Sequence, residues 1–303
     1  MNVKSIIPLL LVLFFWENAS SQSGSFRTTK NVTYGMVSNL ALLLDVHQPA
    51  KPNGKAIIFI QGSAWGFGYP TDFNQKELKA EFFTDTMYAA QYVPALVKQG
   101  YTVFVINHRF APLFKSTDII ADCQRAVRFI RFHAKEYKID PDHIGAIGHS
   151  SGANLVAILG TADEPSRESK NPVDNVSSKV QAVVTLAGPF DLMDVNKAED
   201  SVLDRDFMMA VLDGYIGGPP TNKELGDKYL AASPVNHINK GDAPMLIYYS
   251  DDDPVIPARH AIAMNKKLKE NDVPAKLVVR HKQSHFPMPD GTEVLNWFKT
   301  YLQ

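Results

Sequence analysis

The chain has 303 residues, of which 45% are hydrophobic and 21% charged, ample to bury a core without a metal or disulfide staple. A formal net charge of −1, with Lys and Arg scattered along the chain, offers no electrostatic footprint for nucleic acid. The one cysteine, Cys123, excludes an intrachain disulfide and, set among Ile119, Ile120, Ala126 and Val127, reads as a core residue.

At the N-terminus, Lys4 precedes an almost wholly apolar run from Ser5 to Trp16. The chain then turns polar, with Ala19 and Ser21 standing as the small residues at −3 and −1 of a cleavage site. This pattern predicts a secretory signal peptide over residues 1–21, a mature domain over 22–303, and a secreted, periplasmic or extracellular location. The apolar run is too short for a comfortable span, so no stable membrane insertion is expected after cleavage.

Beyond residue 21, apolar β-branched runs alternate with longer amphipathic stretches. Ala41 to Val46 reads as an early strand, and Ala56 to Ile60 and Tyr101 to Ile106 as strands buried on both faces. From Ser116 to Lys138 the repeat is helical: Ile119, Cys123, Ala126, Val127 and Ile130 share a stripe opposite Asp118, Asp122 and Arg125. A short strand, His143 to Ile147, is followed by a small-residue helix from Ser151 to Leu159. Val180 to Leu186, Met245 to Tyr249 and Ala275 to Val279 are further strands; Ala258 to Asn271 and Thr292 to Leu302 are helices. Such alternation predicts an α/β domain with a mostly parallel sheet covered on both faces. Two stretches, about 66–85 and 192–242, fit it badly and read as insertions of the lid or cap kind. Phe82, Phe83, Tyr88, Phe207, Met208, Met209 and Tyr215 supply apolar surface in or beside them.

Gly148-His149-Ser150-Ser151-Gly152 is a G-x-S-x-G between a strand and a helix. A sharp turn there lifts the Ser150 hydroxyl above the sheet edge, and a Cβ at either glycine would collide with the neighbouring strand or helix. The helix start behind it offers N–H groups and partial positive charge to a developing oxyanion. A serine hydroxyl needs a base, and of the nine histidines His285 is the best placed, in a loop between the strand ending at Val279 and the last helix. Asp251, Asp252 and Asp253 follow another strand at the end where ligands bind in parallel sheets, and any of the three could be the acid. The order Ser, Asp, His is that of the nucleophile-elbow enzymes. A second oxyanion donor is expected from Gln61-Gly62-Ser63-Ala64-Trp65-Gly66, the loop after the strand Ala56 to Ile60; Trp65 would either line a pocket or plug the core. His281 and His285 stand four apart, but on a loop and without a Glu between them, so no metal is expected.

These motifs, taken together over residues 33–301, resemble the α/β-hydrolase esterase and lipase group, in particular secreted bacterial feruloyl-esterase-like and hormone-sensitive-lipase-like carboxylesterases. Gln61 to Trp65 is similar to the group's His-Gly-Gly-Gly/Ala-Trp motif, His108-Arg109-Phe110-Ala111-Pro112 to its Tyr-Arg-Leu-Ala-Pro stretch, and Asp253-Pro254-Val255-Ile256-Pro257 to its acid motif. Tyr137 to Gly152 resembles its approach to the elbow, and Ser284-His285 its terminal Gly-His. The resemblance implies Ser150 as nucleophile, Asp253 rather than its two neighbours as acid, His285 as base, and backbone donors from Ser63 or Ala64 together with Ser151. Two positions depart from it: Gln61 replaces the motif's His, and Ser63 replaces a Gly, whose missing Cβ would have allowed more backbone conformations. The implied chemistry is two-step acyl transfer on a small-molecule or glycan-linked ester, with no cofactor. A serine peptidase or amide hydrolase on the same fold, or a catalytically silent binding module, are the alternatives.

Overall fold

The five residues Ala56–Ile60 form a strand buried along its whole length. Ile57 and Phe59 face one layer of the core and Ile58 and Ile60 the other, because successive side chains alternate across a strand. This strand, β4, sits near the middle of a nine-stranded sheet in a computed structural model that describes residues 20–23, 26–66, 87–163, 168–195 and 205–303. The others are β1 (Ser20–Ser23), β2 (Phe26–Val37), β3 (Leu40–Pro49), β5 (Thr102–Ile106), β6 (Ile144–His149), β7 (Ala182–Leu186), β8 (Met245–Ser250) and β9 (Ala275–Arg280). Their spatial order is β1-β2-β3-β5-β4-β6-β7-β8-β9. From β5 to β9 every pairing is parallel, whereas β1, β2 and β3 pair antiparallel at one edge. The fold is that of the α/β-hydrolases.

One face of the sheet carries α1 (Met87–Lys98) and α9 (Gly291–Tyr301), whose Leu96, Val97 and Phe298, with Leu302 just beyond the last helix, pack on Val103, Ile147 and Val184. The other carries α2 (Ser116–Phe132), α4 (Ser151–Thr161) and α8 (Arg259–Glu270). The helical stripe read over Ser116 to Lys138 is interrupted at His133. Its ring Nδ1 donates to the Phe129 carbonyl at 2.9 Å, and the chain resumes as the single turn α3 (Ala134–Tyr137). Arg109, in the loop after β5, donates through its backbone and guanidinium to the buried Asp122 carboxylate at 2.8–3.1 Å, so this part of the Arg-x-Ala-Pro stretch fastens a loop to α2.

The second insertion folds into α5 (Leu192–Val195), α6 (Arg205–Ile216) and α7 (Lys223–Ala231). Arg259 pairs with Asp194 to tie α5 to α8, and Tyr215 of α6 stacks on Trp65 with ring centroids 4.1 Å apart. Residues 1–19 of the expected signal peptide and 67–85 of the first insertion lie outside the described residues. Outside the insertions, β1, β2 and α1 were not expected. β2 is only half buried, so it lacks the continuous apolar run of the central strands, and α1 carries Pro94 within its span.

In a parallel sheet the C-terminal ends of the strands lie along one edge. Here β4, β6 and β8 deliver Gln61, Ser150 and Asp253 to that edge, and the loop after β9 delivers His285.

Candidate active site

Ser150 joins β6 to α4 with φ +52° and ψ −122°, a backbone conformation that costs an L-residue about 1–3 kcal/mol and persists only where its surroundings impose it. The surroundings are two glycines. A Cβ at Gly148 would fall 2.4 Å from the Gly152 carbonyl oxygen, and one at Gly152 would fall 2.2 Å from the Ile60 carbonyl oxygen on β4. The Ser150 N–H donates to the Leu186 carbonyl at 2.8 Å, which fixes the turn against β7.

The Ser150 Oγ lies 2.9 Å from His285 Nε2, and His285 Nδ1 lies 2.8 and 3.0 Å from the two carboxylate oxygens of Asp253. The carboxylate fixes the tautomer, because an acceptor on Nδ1 leaves Nε2 with the lone pair that receives the hydroxyl proton. Asp253 Oδ1 also accepts from the backbone N–H groups of Val255 and Ile256 at 2.8 and 3.0 Å, and the carboxylate is only 1% exposed. This line of groups can deprotonate the hydroxyl as it attacks and stabilise the imidazolium that results.

The neighbouring carboxylates point elsewhere. Asp251 pairs with His281 at 2.6 Å and accepts from the Lys282 N–H. Asp252 accepts from the Ser250 hydroxyl at 2.5 Å and the Ser284 N–H at 2.9 Å. These bonds hold both carboxyls below the usual range, the His281 contact chiefly for Asp251 and the Ser250 hydroxyl chiefly for Asp252. His281, paired at the surface, stands apart from His285. Among the described residues no group of three His, Cys, Asp or Glu side chains converges as a metal site requires.

The loop after β4 corrects one expectation. The Ser63 N–H donates to the Ser151 Oγ at 2.9 Å and is therefore committed within the protein, so Ser63 is not available as an oxyanion donor. The Ala64 N–H, beside it, and the Ser151 N–H, at the start of α4, have no such acceptor among the described residues. Nor does the Cβ of Ser63 restrict the loop in the way expected. The left-handed φ values belong to Ala64 (+49°), Trp65 (+55°) and Gly66 (+84°), while Ser63 has none. Gln61 is buried and bonds the Gly62 carbonyl through Nε2. At Gly62 a Cβ would fall 2.6 Å from His149 Nδ1 and 2.8 Å from the Ser150 Cβ, so only glycine lets this loop lie against the elbow.

A cavity of about 510 Å³ opens over Ser150. Trp65, Pro189, Val195, Phe207, Met208, Val211, Leu212, Val255, Ile256 and Phe286 form its apolar wall, and none of its described lining residues is a Lys, Arg, Asp or Glu. Of the apolar residues singled out in the insertions, Phe207 and Met208 line this cavity, whereas Tyr215 is buried behind Trp65. Phe82 and Phe83, and the side chain of Tyr88, lie outside the described residues. Trp65 therefore does both of the things its position suggested, packing on Tyr215 and facing the cavity. Val255, Ile256 and Phe286 were not anticipated as wall residues, although each sits within three residues of Asp253 or His285. His149 was not anticipated as a site residue either. It is buried, its Nε2–H donates to the His285 carbonyl at 2.9 Å, and desolvation holds its pKa down at about 3.

The chain is similar to known esterases. The sequence model of the BD-FAE family matches residues 44–268. Esterase LipC of Mycobacterium tuberculosis is 25% identical over 79% of this chain and 55% of its own length. The probable carboxylic ester hydrolase LipM of the same organism is 26% identical over 58% of this chain and 39% of its own. The chain thus spans about half the length of the curated relatives it matches. Among solved structures, a truncated form of a carbohydrate esterase from gut microbiota superposes with a TM-score of 0.72 at 26% identity, covering 94% of this chain and 98% of that one.

Proposed function

The chain belongs to the BD-FAE family, and on that premise we propose that it is an exported serine hydrolase of carboxylic esters, including esters in which the acyl group is carried on a carbohydrate. The observation that carries the reading is the hydrogen-bonded line Asp253–His285–Ser150, mounted on a strained elbow and opening into an apolar cavity. His285 takes the proton as Ser150 Oγ attacks the ester carbonyl. The N–H groups of Ala64 and Ser151 receive the oxyanion, each worth about 3 kcal/mol of transition-state stabilisation. His285 then gives the proton to the departing alcohol, and water repeats the sequence to release the acid. The uncharged wall favours an apolar acyl group, since a charged one would lose its hydration without gaining a partner. The carbohydrate leaving group is supported by the likeness to the gut-microbiota carbohydrate esterase, and export by the pattern of residues 1–21.

Turnover of p-nitrophenyl acetate by the wild type and its loss in Ser150→Ala, with a fluorophosphonate probe mapped to Ser150, test the mechanism. Equal turnover in both proteins would sink it, and faster cleavage of a peptide amide than of the matched ester would overturn the substrate class. Export predicts a mature N-terminus at Gln22, read by N-terminal sequencing of protein from the culture medium or periplasm.

A further inference from the structure

His285 is the one member of the hydrogen-bonded line carried on a long loop, and that loop is tied down unevenly. Ahead of His285, three backbone N–H groups are captured by the end of β8 and the turn that follows it: Lys282 by Asp251, Gln283 by the Ser250 hydroxyl at 3.1 Å, and Ser284 by Asp252. Asp253 belongs to the same turn. The acid and the loop bearing the base are thus one fastened unit, and these bonds say nothing of where that unit stands relative to the nucleophile. A different bond makes that connection. His149, the residue immediately before Ser150, donates its Nε2–H to the carbonyl oxygen of His285 itself at 2.9 Å.

We propose that His149 is a positioning residue: its Nε2–H, held by the His285 carbonyl, sets the distance between the elbow and the histidine loop at which proton transfer from Ser150 occurs. The inference rests on the serine-hydrolase reading above. A carbonyl oxygen can only accept, so Nε2 must carry the hydrogen and the neutral ring is the Nε2–H tautomer. The ring is wedged in place. Phe286 stacks on it with centroids 5.3 Å apart and planes at 24°, and the close approach of Gly62 brings the oxyanion loop against Nδ1. One side chain thereby touches the elbow, the oxyanion loop and the base loop. The donor is also suited to its neighbour. The His285 ring centre is 5.1 Å away and becomes cationic during the reaction, so a charged donor at this position would oppose that step, whereas a neutral ring does not. Burial is the main reason that His149 stays neutral, with the charge of His285 second.

Two substitutions separate positioning from simple filling of space. The amide nitrogen of Gln lies as many bonds from Cα as His Nε2, whereas that of Asn reaches only as far as Nδ1. His149→Gln keeps a donor within reach of the His285 carbonyl, and His149→Asn does not. With p-nitrophenyl acetate we expect kcat to fall by about tenfold to a hundredfold in His149→Asn, with KM within about threefold of wild type, and most of that loss to be recovered in His149→Gln. Wild-type kcat in His149→Asn, or equal losses in the two variants, would overturn the inference. A wild type that neither turns over ester nor labels at Ser150 would instead overturn the hydrolase reading. Should His149→Asn fail to fold, judged by circular dichroism, long-range ¹H–¹⁵N spectra of the wild type decide. A neutral Nε2–H ring at His149 from pH 5 to 9 is the expected result, and an Nδ1–H tautomer or a titration within that range refutes it.

Discussion

Asp253→Asn changes one atom and should nearly abolish turnover, for a reason the hydrogen bonds specify. Oδ1 of Asp253 accepts from the Val255 and Ile256 N–H groups at 2.8 and 3.0 Å. An amide NH₂ cannot face two N–H donors, so Asn must keep its oxygen at that position and turn its nitrogen to the site of Oδ2. That site lies 2.8 Å from His285 Nδ1. With the amide nitrogen at the nearer of the two sites, 2.8 Å against 3.0 Å for the oxygen, Nδ1 is favoured as an acceptor, the ring proton moves to Nε2, and Nε2 no longer receives the hydroxyl proton of Ser150. The fold is retained, because both backbone bonds survive and the side-chain volume is unchanged. A wrong tautomer in a triad of this kind costs about 10⁴ in kcat, about 5.5 kcal/mol of barrier. The assay is kcat and KM for p-nitrophenyl acetate, with the rate of fluorophosphonate labelling as an independent readout. Asp252→Asn and Asp251→Asn are controls for charge. Each removes the same unit of charge from the same turn. In Asp252→Asn the amide oxygen can still accept both bonds that Oδ1 accepts, and in Asp251→Asn it can keep the bond from the Lys282 N–H while the surface contact to His281 is lost, so losses under about tenfold are expected. The reasoning is refuted if Asp253→Asn keeps more than about one hundredth of wild-type kcat, or if Asp252→Asn falls as far.

Gly152→Ala places a Cβ 2.2 Å from the Ile60 carbonyl oxygen, a backbone atom that cannot swing away. We expect a loss of roughly 1–3 kcal/mol or more in urea unfolding together with loss of labelling at Ser150, and a variant that labels at the wild-type rate would contradict the packing argument. Val211→Phe narrows the cavity from α6 and should lower kcat/KM for p-nitrophenyl octanoate by about tenfold or more while changing the acetate by less than about threefold. A parallel loss on both esters would place Val211 outside the acyl path. Stability should also fall in mild acid. Desolvation lowers His260 from 6.5 to about 4 and His149 to about 3, so between pH 6.5 and those values the unfolded chain binds protons that the folded chain does not. The contribution is complete above pH 6.5 and is lost as pH falls, by up to about 1.4 kcal/mol per pH unit for each histidine. Urea melts at pH 7.5 and 5.0 check the sign, and His260→Gln should flatten the difference; an unchanged slope would count against it.

The central strands were legible because their signal is local. Ala56 to Ile60 is apolar at every position, and a segment of that kind has few places to go except the middle of a covered parallel sheet. The elbow was legible for the same reason, since two glycines, a serine and a following helix of small residues describe one tight turn and its collisions. The strand β2, next to the edge, and the helix α1 were not, because half-exposed residues in the first and Pro94 in the second blur the periodicity on which such readings depend. At Ser63 the expectation followed residue type, a Cβ where a glycine was expected, and the outcome turned on φ: the left-handed positions fell one, two and three residues later.

The sequence by itself determined the fold class, the position of the nucleophile and the order of the three functional side chains, all consequences of local pattern and chain order. It did not separate Asp251, Asp252 and Asp253 by composition or spacing, and the resemblance alone pointed to the third. The structure separates them because each carboxylate meets a different partner some thirty residues away, on a loop that approaches the turn only after β8 and β9 have paired in register. The same is true of the commitment of the Ser63 N–H to Ser151 Oγ, the bond from His149 to the His285 carbonyl, and the cavity wall supplied by α6. Each is a contact between segments distant in sequence, and direction and distance across such contacts exist only once the sheet has brought its strand ends to one edge.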